Sequence, residues 1–361
     1  MWDLAVREED YDAIDAMLSR YAKAPLSMRL LPAFARGDSA TRARFIQEAT
    51  VSDSRQSQIS ARYVATFRED FAAAESLARL DLADRRRPPI RLGAQTFLAW
   101  LDVARGQWTN ANIEFEKARR MEGASAVELE RAIAATLPFM EVPRADLEMI
   151  RSEVERSDSS STPAQASGSL SARLRPHLRL YLLSLLSSRL GDAAAGARYA
   201  AALDSLPAPA AASAVCRGLV RTAQADIALR NGRPAEALSL LEPVQGEIPL
   251  ELVYLKVFAT VREYGQEHAR YLRAESLFAL RRYDEALRWF QTSFQGSPAE
   301  LVYLAPSHLR QAEIFAARGE TEKAAAQYRR FLALWREPDP PLRATVNDAQ
   351  RRLAGLANKG Q

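Results

Sequence analysis

Apolar residues recur three and four positions apart along this chain, and the runs they form come in pairs. The clearest pair lies between residues 271 and 298. Ala274, then Leu277 and Phe278 one turn later, mark one helical face; Arg281-Arg282 interrupts it; Ala286 and Phe290 mark a second face, and Pro298 closes it. Small residues at such positions let two antiparallel helices approach closely, while the aromatics fill holes between neighbouring pairs. The pattern returns 38 positions later as Ala312, Phe315, Gly319, Ala324 and Tyr328. Upstream it reads Ala225, Gly232, Ala237 and Leu241, and before that Ser184, Gly191, Gly196 and Ala200. Glycine between the runs suits a helix C-terminal stop, where a left-handed residue is needed. The pattern predicts an all-α chain built from antiparallel helix pairs. Val346, Ala349, Leu353 and Leu356 predict a last amphipathic helix over 342–356, whose polar outer face would cap an array.

The N-terminal half carries the pattern more loosely. Ala99, Gly106, Trp108, Ala111, Phe115 and Ala118 make one pair, and Phe71, Ala74 and Ala78 mark half of another. Tyr11, Ile14, Leu18 and Tyr21 fit a second helix, and Gly37-Asp38 with Phe45 a further unit. The chain would thus begin inside a helix pair. The string Glu-Leu-Val-Tyr-Leu occurs at 251–255 and again at 300–304, 49 positions apart, each with a proline two residues ahead, which implies a duplicated unit. Ser- and Ala-rich residues 157–172 read as a linker, giving helical arrays over 1–156 and 173–361.

These residues resemble the tetratricopeptide repeat, a helix–turn–helix unit with small and aromatic residues at fixed places and a closing proline. Ala274, Tyr283, Ala286, Phe290, Ser293 and Pro298 fit best, with Arg281 where the family favours glycine. The resemblance implies an α-solenoid, a right-handed superhelix of antiparallel pairs with a capping C-terminal helix. It also implies that first helices line a concave groove. The groove residues would be Tyr181, Arg189, Thr222, Asp226, Arg230, Tyr271, Glu275, Phe278, Leu309 and Glu313. Their mix of aromatic, apolar and charged types suits a peptide or protein of apolar and basic character. The lysines and asparagines with which some relatives clamp a partner's terminal carboxylate have no counterpart here.

Composition narrows the chemistry. The chain has 361 residues, 48% hydrophobic and 26% charged, enough apolar content for a sizeable core. Its 49 Lys and Arg against 45 Asp and Glu leave a net charge of +4. All but Lys23, Lys117, Lys256, Lys323 and Lys359 of the basic residues are arginine. Acids interleave with them, so no basic stripe points to nucleic acid. No apolar stretch is long enough to span a membrane. The acidic start, Asp3 and then Glu8, Glu9 and Asp10, lacks the form of a signal peptide, so a cytoplasmic location is expected.

The one cysteine, Cys216, sits in an apolar run and reads as core; it excludes an intrachain disulfide and a cysteine zinc cluster. His177 reads as a helix-start residue, and His268 and His308 as surface or interface residues. Phosphate-loop, dinucleotide, zinc-protease, hydrolase-elbow and kinase motifs are all missing. No catalytic residue, cofactor or metal is expected. The expected function is a non-catalytic scaffold or adaptor. The alternative is a detached regulatory region, because Leu301 to Glu313 resembles segments of bacterial serine/threonine kinases and transcription regulators.

Overall fold

The computed structural model describes residues 10–20, 28–29, 32–33, 36–51, 64–65, 68–83, 86–121, 127–157, 170–244, 267–292 and 300–357. They form sixteen α-helices and no strand. In chain order these are α1 (Tyr11–Ser19), α2 (Ser39–Val51), α3 (Phe71–Arg79), α4 (Pro88–Ala104), α5 (Trp108–Arg119), α6 (Val127–Thr136), α7 (Arg144–Arg156) and α8 (Leu170–Arg189). Then come α9 (Ala193–Ser205), α10 (Ser213–Arg230), α11 (Pro234–Leu241), α12 (Glu267–Ala279), α13 (Tyr283–Thr292), α14 (Leu304–Ala317), α15 (Thr321–Leu334) and α16 (Arg343–Ala357). The chain is all-α, packed as sequential antiparallel pairs.

Two compact units divide it: residues 1–102 with 109–125, and residues 103–108 with 126–361. The predicted linker at 157–172 lies mostly outside the described residues. Residues 127–157 and 170–357 share the second unit. The first Glu-Leu-Val-Tyr-Leu copy, Tyr21, Pro249, Ser293 and Pro298 also lie outside the described residues; the second copy runs through a short 3-10 turn, Glu300–Tyr303, into α14.

In the first unit Asp10, Asp38 and Asp70 each accept a bond from the backbone N–H three residues on, at 2.9, 3.0 and 2.9 Å. Each satisfies one of the unpaired donors at the start of α1, α2 and α3. The Trp100 and Phe115 rings meet edge to face at 5.6 Å, holding α4 against α5. Asp81 and Arg86 form a fully buried ion pair at 3.5 Å. Removing one partner of such a pair costs more than the pair contributes, because a buried charge is left alone.

In the second unit α8 packs with α9, α10 with α11, α12 with α13 and α14 with α15; α16 packs on α15. Small residues set how closely the pairs approach. Ala225, Ala228, Ala237, Leu241, Ala269 and Leu272 form one buried cluster where α10, α11 and α12 meet. The predicted core residues Ala274, Ala286, Phe290, Ala312, Phe315, Ala324 and Tyr328 are all buried.

Every one of these four pairs turns the same way. The N–H groups of Asp192, Arg233, Arg282 and Glu320 each reach back five residues, to the carbonyls of Ser187, Ala228, Leu277 and Phe315, all at 2.9 Å. This bond closes a helix end only if the residue before it is left-handed. Gly191, Gly232 and Gly319 supply that at φ 79°, 71° and 74°. In the third turn the residue is Arg281, at φ 58°. A left-handed L-residue is penalised by contact of its Cβ with the backbone.

The unit also makes a contact across some 230 positions. Trp335 Nε1 donates to the Ala104 carbonyl at 3.0 Å, Gln107 Nε2 to that of Glu337 at 2.7 Å, and the Asp339 N–H to that of Gly106 at 3.0 Å. A Cβ on Gly106 would lie 3.2 Å from each of Trp335, Pro338 and Leu342, so this glycine serves both a left-handed turn and a close approach.

Replacing Arg281 by glycine relieves the strained turn. Arg281→Gly is expected to raise stability by about 1 kcal/mol, the left-handed penalty less the added freedom of the unfolded chain. Urea unfolding of both proteins measures it; an unchanged or lowered midpoint would show that the turn is not strained.

Candidate functional site

The candidate site lies where α8 packs on α10, α10 on α12, and α12 meets α14 through Glu275 and Arg310. Two helices before α8, α6 is buried on nine of its ten residues, including Glu130 and Arg131. Arg131 bonds Glu153 on α7 at 3.0 Å, and Glu128 accepts from Arg175 on α8 at 2.9 Å. After α6 the chain makes a tight turn, Leu137-Pro138-Phe139-Met140, stapled by the Met140 N–H on the Leu137 carbonyl at 3.2 Å. Pro138 and Phe139 end the helix.

That turn lies at this site. Arg189, at the end of α8, donates to the carbonyls of Leu137 and Met140. Burial is the main cause that lowers its pKa to about 10, with Arg230 adding like-charge repulsion and Asp226 and Glu141 opposing it. The Phe139 ring stands edge-on to Tyr271 of α12 at 5.5 Å and to Tyr303 at 5.7 Å. Tyr271 and Tyr303 stack at 4.9 Å, and Phe290 closes the far side of Tyr271 at 6.0 Å. His268 Nδ1 sits 3.2 Å from the Tyr303 hydroxyl. Four aromatic rings from two helices and two turns thus share one cage.

A polar cluster adjoins it. Arg310 of α14 donates to both Glu275 carboxylate oxygens at 2.9 to 3.2 Å and to Glu313 at 2.8 Å. Its guanidinium lies 4.6 Å over the Phe278 ring. Burial alone would lower the pKa of Arg310; Glu275, Tyr271 and Glu313 outweigh it and raise the pKa above the ordinary value. Burial, then Glu275, pushes Tyr271 well up, so the phenol stays protonated. Two carboxylates share one guanidinium, and Arg352, itself paired with Asp348, also acts on Glu313.

The ten residues predicted to face a groove therefore divide. Tyr181, Thr222, Asp226 and Tyr271 are only 1, 1, 2 and 4% exposed, so solvent does not reach them as the groove expectation required. The Thr222 hydroxyl bonds back to Gly218 at 2.7 Å within its own helix. Asp226 pairs with Arg230 at 2.8 Å. Glu275, Phe278 and Glu313 are half-buried around Arg310, beside buried Tyr271; Leu309 is half-buried one residue before it. The sequence missed Arg310, Phe139 and Tyr303. Arg310 lay within reach, one residue past a predicted position and one turn before Glu313; Phe139 carries no periodic signal.

Cys216 sits in the core as expected; His177 lies inside α8, not at its start, and His268 and His308 are buried, not at the surface. Cys216 is buried, and burial pushes its thiol from 9.0 to about 11. His177 is buried, which lowers its pKa. His308 Nδ1 meets Gln327 Oε1 at 2.6 Å. Among the described residues no three His, Cys, Asp or Glu side chains are grouped to hold a metal ion, and no helix is long and apolar enough to cross a membrane.

The raised Cys216 pKa makes a solution prediction. The folded state keeps this proton more tightly than the unfolded state, so the associated stability is full below pH 9 and is lost as pH rises through 11. At pH 8 a thiol reagent is expected to leave the native chain unmodified and to label Cys216 only at the rate of unfolding. Rapid labelling of the native chain would contradict this environment.

The chain matches no protein-family model and no curated protein.

Proposed function

We propose that this chain is a non-catalytic helical-repeat scaffold of the tetratricopeptide kind that binds a protein or peptide partner. The reading draws support from the four pairs with one shared turn geometry and from the packing of successive first helices, α8 on α10 and α10 on α12. In such arrays the face of the first helices recognises partners, and its extended shape substitutes for a deep pocket.

The observation that carries the proposal is the Phe278–Arg310–Glu275–Glu313 cluster. Aromatic and arginine side chains dominate binding energy at interfaces. Here they lie at the margin of the covered face, with the Arg310 side chain 32% exposed. The two carboxylates beside the Phe278 ring favour a partner that brings a basic side chain next to an apolar one. Docking such a group beside Phe278 would pair it with these carboxylates and bury the ring further.

A photocrosslinking residue in place of Phe278 tests this in native lysate. Met149 on α7, 42% exposed, is the control position. One protein is expected to be captured from position 278 and not from 149, and to be lost when Glu275 and Glu313 are changed to lysine. Capture of the same proteins from both positions, or indifference to the charge reversal, would overturn the proposal.

A further inference from the structure

The covered face shows what it can hold, because it already holds something. The Leu137–Met140 turn is not a member of the row that it touches. It reaches residues 132 and 164 positions further on, Tyr271 and Tyr303, through one aromatic ring. Its backbone is gripped at two carbonyls by Arg189. An arginine fork on two carbonyls recognises a backbone shape, and an aromatic cage recognises a ring. Neither recognises anything unique to this stretch of chain. Phe139 is itself only half-buried, so part of the occupant stays accessible at the surface.

We infer that the cage of Tyr271, Tyr303 and Phe290, together with Arg189, is a binding slot for a proline–aromatic turn, and that the Leu137–Met140 turn is its resident occupant. The partner that fits is a peptide carrying an aromatic residue directly after proline, flanked by apolar residues. It enters by replacing Phe139. This deepens the scaffold reading above and rests on it. The resident turn is tethered, so its effective concentration is high and an outside peptide meets strong competition. Weakening the resident therefore strengthens the visitor, because apparent affinity scales with the fraction of open slot.

The test uses the full chain and a fluorescent peptide of residues 136–143, Thr-Leu-Pro-Phe-Met-Glu-Val-Pro. Anisotropy is measured against the wild-type chain and against Phe139→Ala. The peptide is expected to bind the variant about tenfold more tightly, the loss of one or two ring contacts from the resident. The same peptide with its phenylalanine changed to alanine is expected to bind neither. If Phe139→Ala does not fold, Phe139→Leu keeps the apolar contact and is expected to give a smaller gain of the same sign. Equal affinity for wild type and variant overturns the slot, as does binding by the peptide that lacks the ring. Failure here with capture at position 278 intact overturns the slot alone. Peptide binding without capture at 278 overturns the Phe278 surface alone.

Discussion

The second unit depends on one seating: the Leu137–Met140 turn against the first helices. Arg189 makes it necessary. Its guanidinium is half-buried and donates to the two carbonyls of the turn, with Asp226 and Glu141 near enough to favour its charge. Stripping a partly buried cation of its acceptors carries a cost, which ties helix α8 to the turn. The Phe139 ring then fixes where α12 and the Glu300–Tyr303 turn come to rest, since all three aromatic contacts converge on it and its neighbours. The burial of Tyr271, and the protonated state of its phenol, follow from that placement.

Local rules build the parts that this seating gathers. Four of the helix pairs are closed by the same five-residue back-bond, which needs only a left-handed residue and a following N–H. Alanines at the contacts allow the pairs to nest. The left-handed residues 191, 232, 281 and 319 are spaced 41, 49 and 38 positions apart, not evenly.

Much of this was legible in the sequence, for a physical reason. A helix pair is a local object, and its small and aromatic positions recur at helical period. Ala274, Ala286, Phe290, Ala312, Phe315, Ala324 and Tyr328 are buried as that period predicts, and Gly106, Gly191, Gly232 and Gly319 sit at left-handed turns. Arg281 was visible as the odd residue in its turn, and it adopts the strained conformation that the missing glycine would have taken freely. Periodicity separates the packing face of a helix from its other face. It does not say whether the other face is then covered by chain from elsewhere. Tyr271 reads as an open groove residue for that reason, and it is covered by Phe139. Phe139 against Tyr271 and Trp335 against Ala104 join residues 132 and 231 positions apart, and no local pattern encodes such contacts.

The most direct test of the account is a set of ring-to-ring nuclear Overhauser contacts in the full chain, with phenylalanine and tyrosine selectively protonated in a deuterated background. Ring centroids of 5.5 and 5.7 Å bring edge protons within reach of magnetisation transfer. The account predicts cross-peaks from Phe139 to both Tyr271 and Tyr303, absent in Phe139→Leu. A Phe139 ring that shows neither contact, while Tyr271 and Tyr303 still see one another, would contradict the seating on which the rest is built.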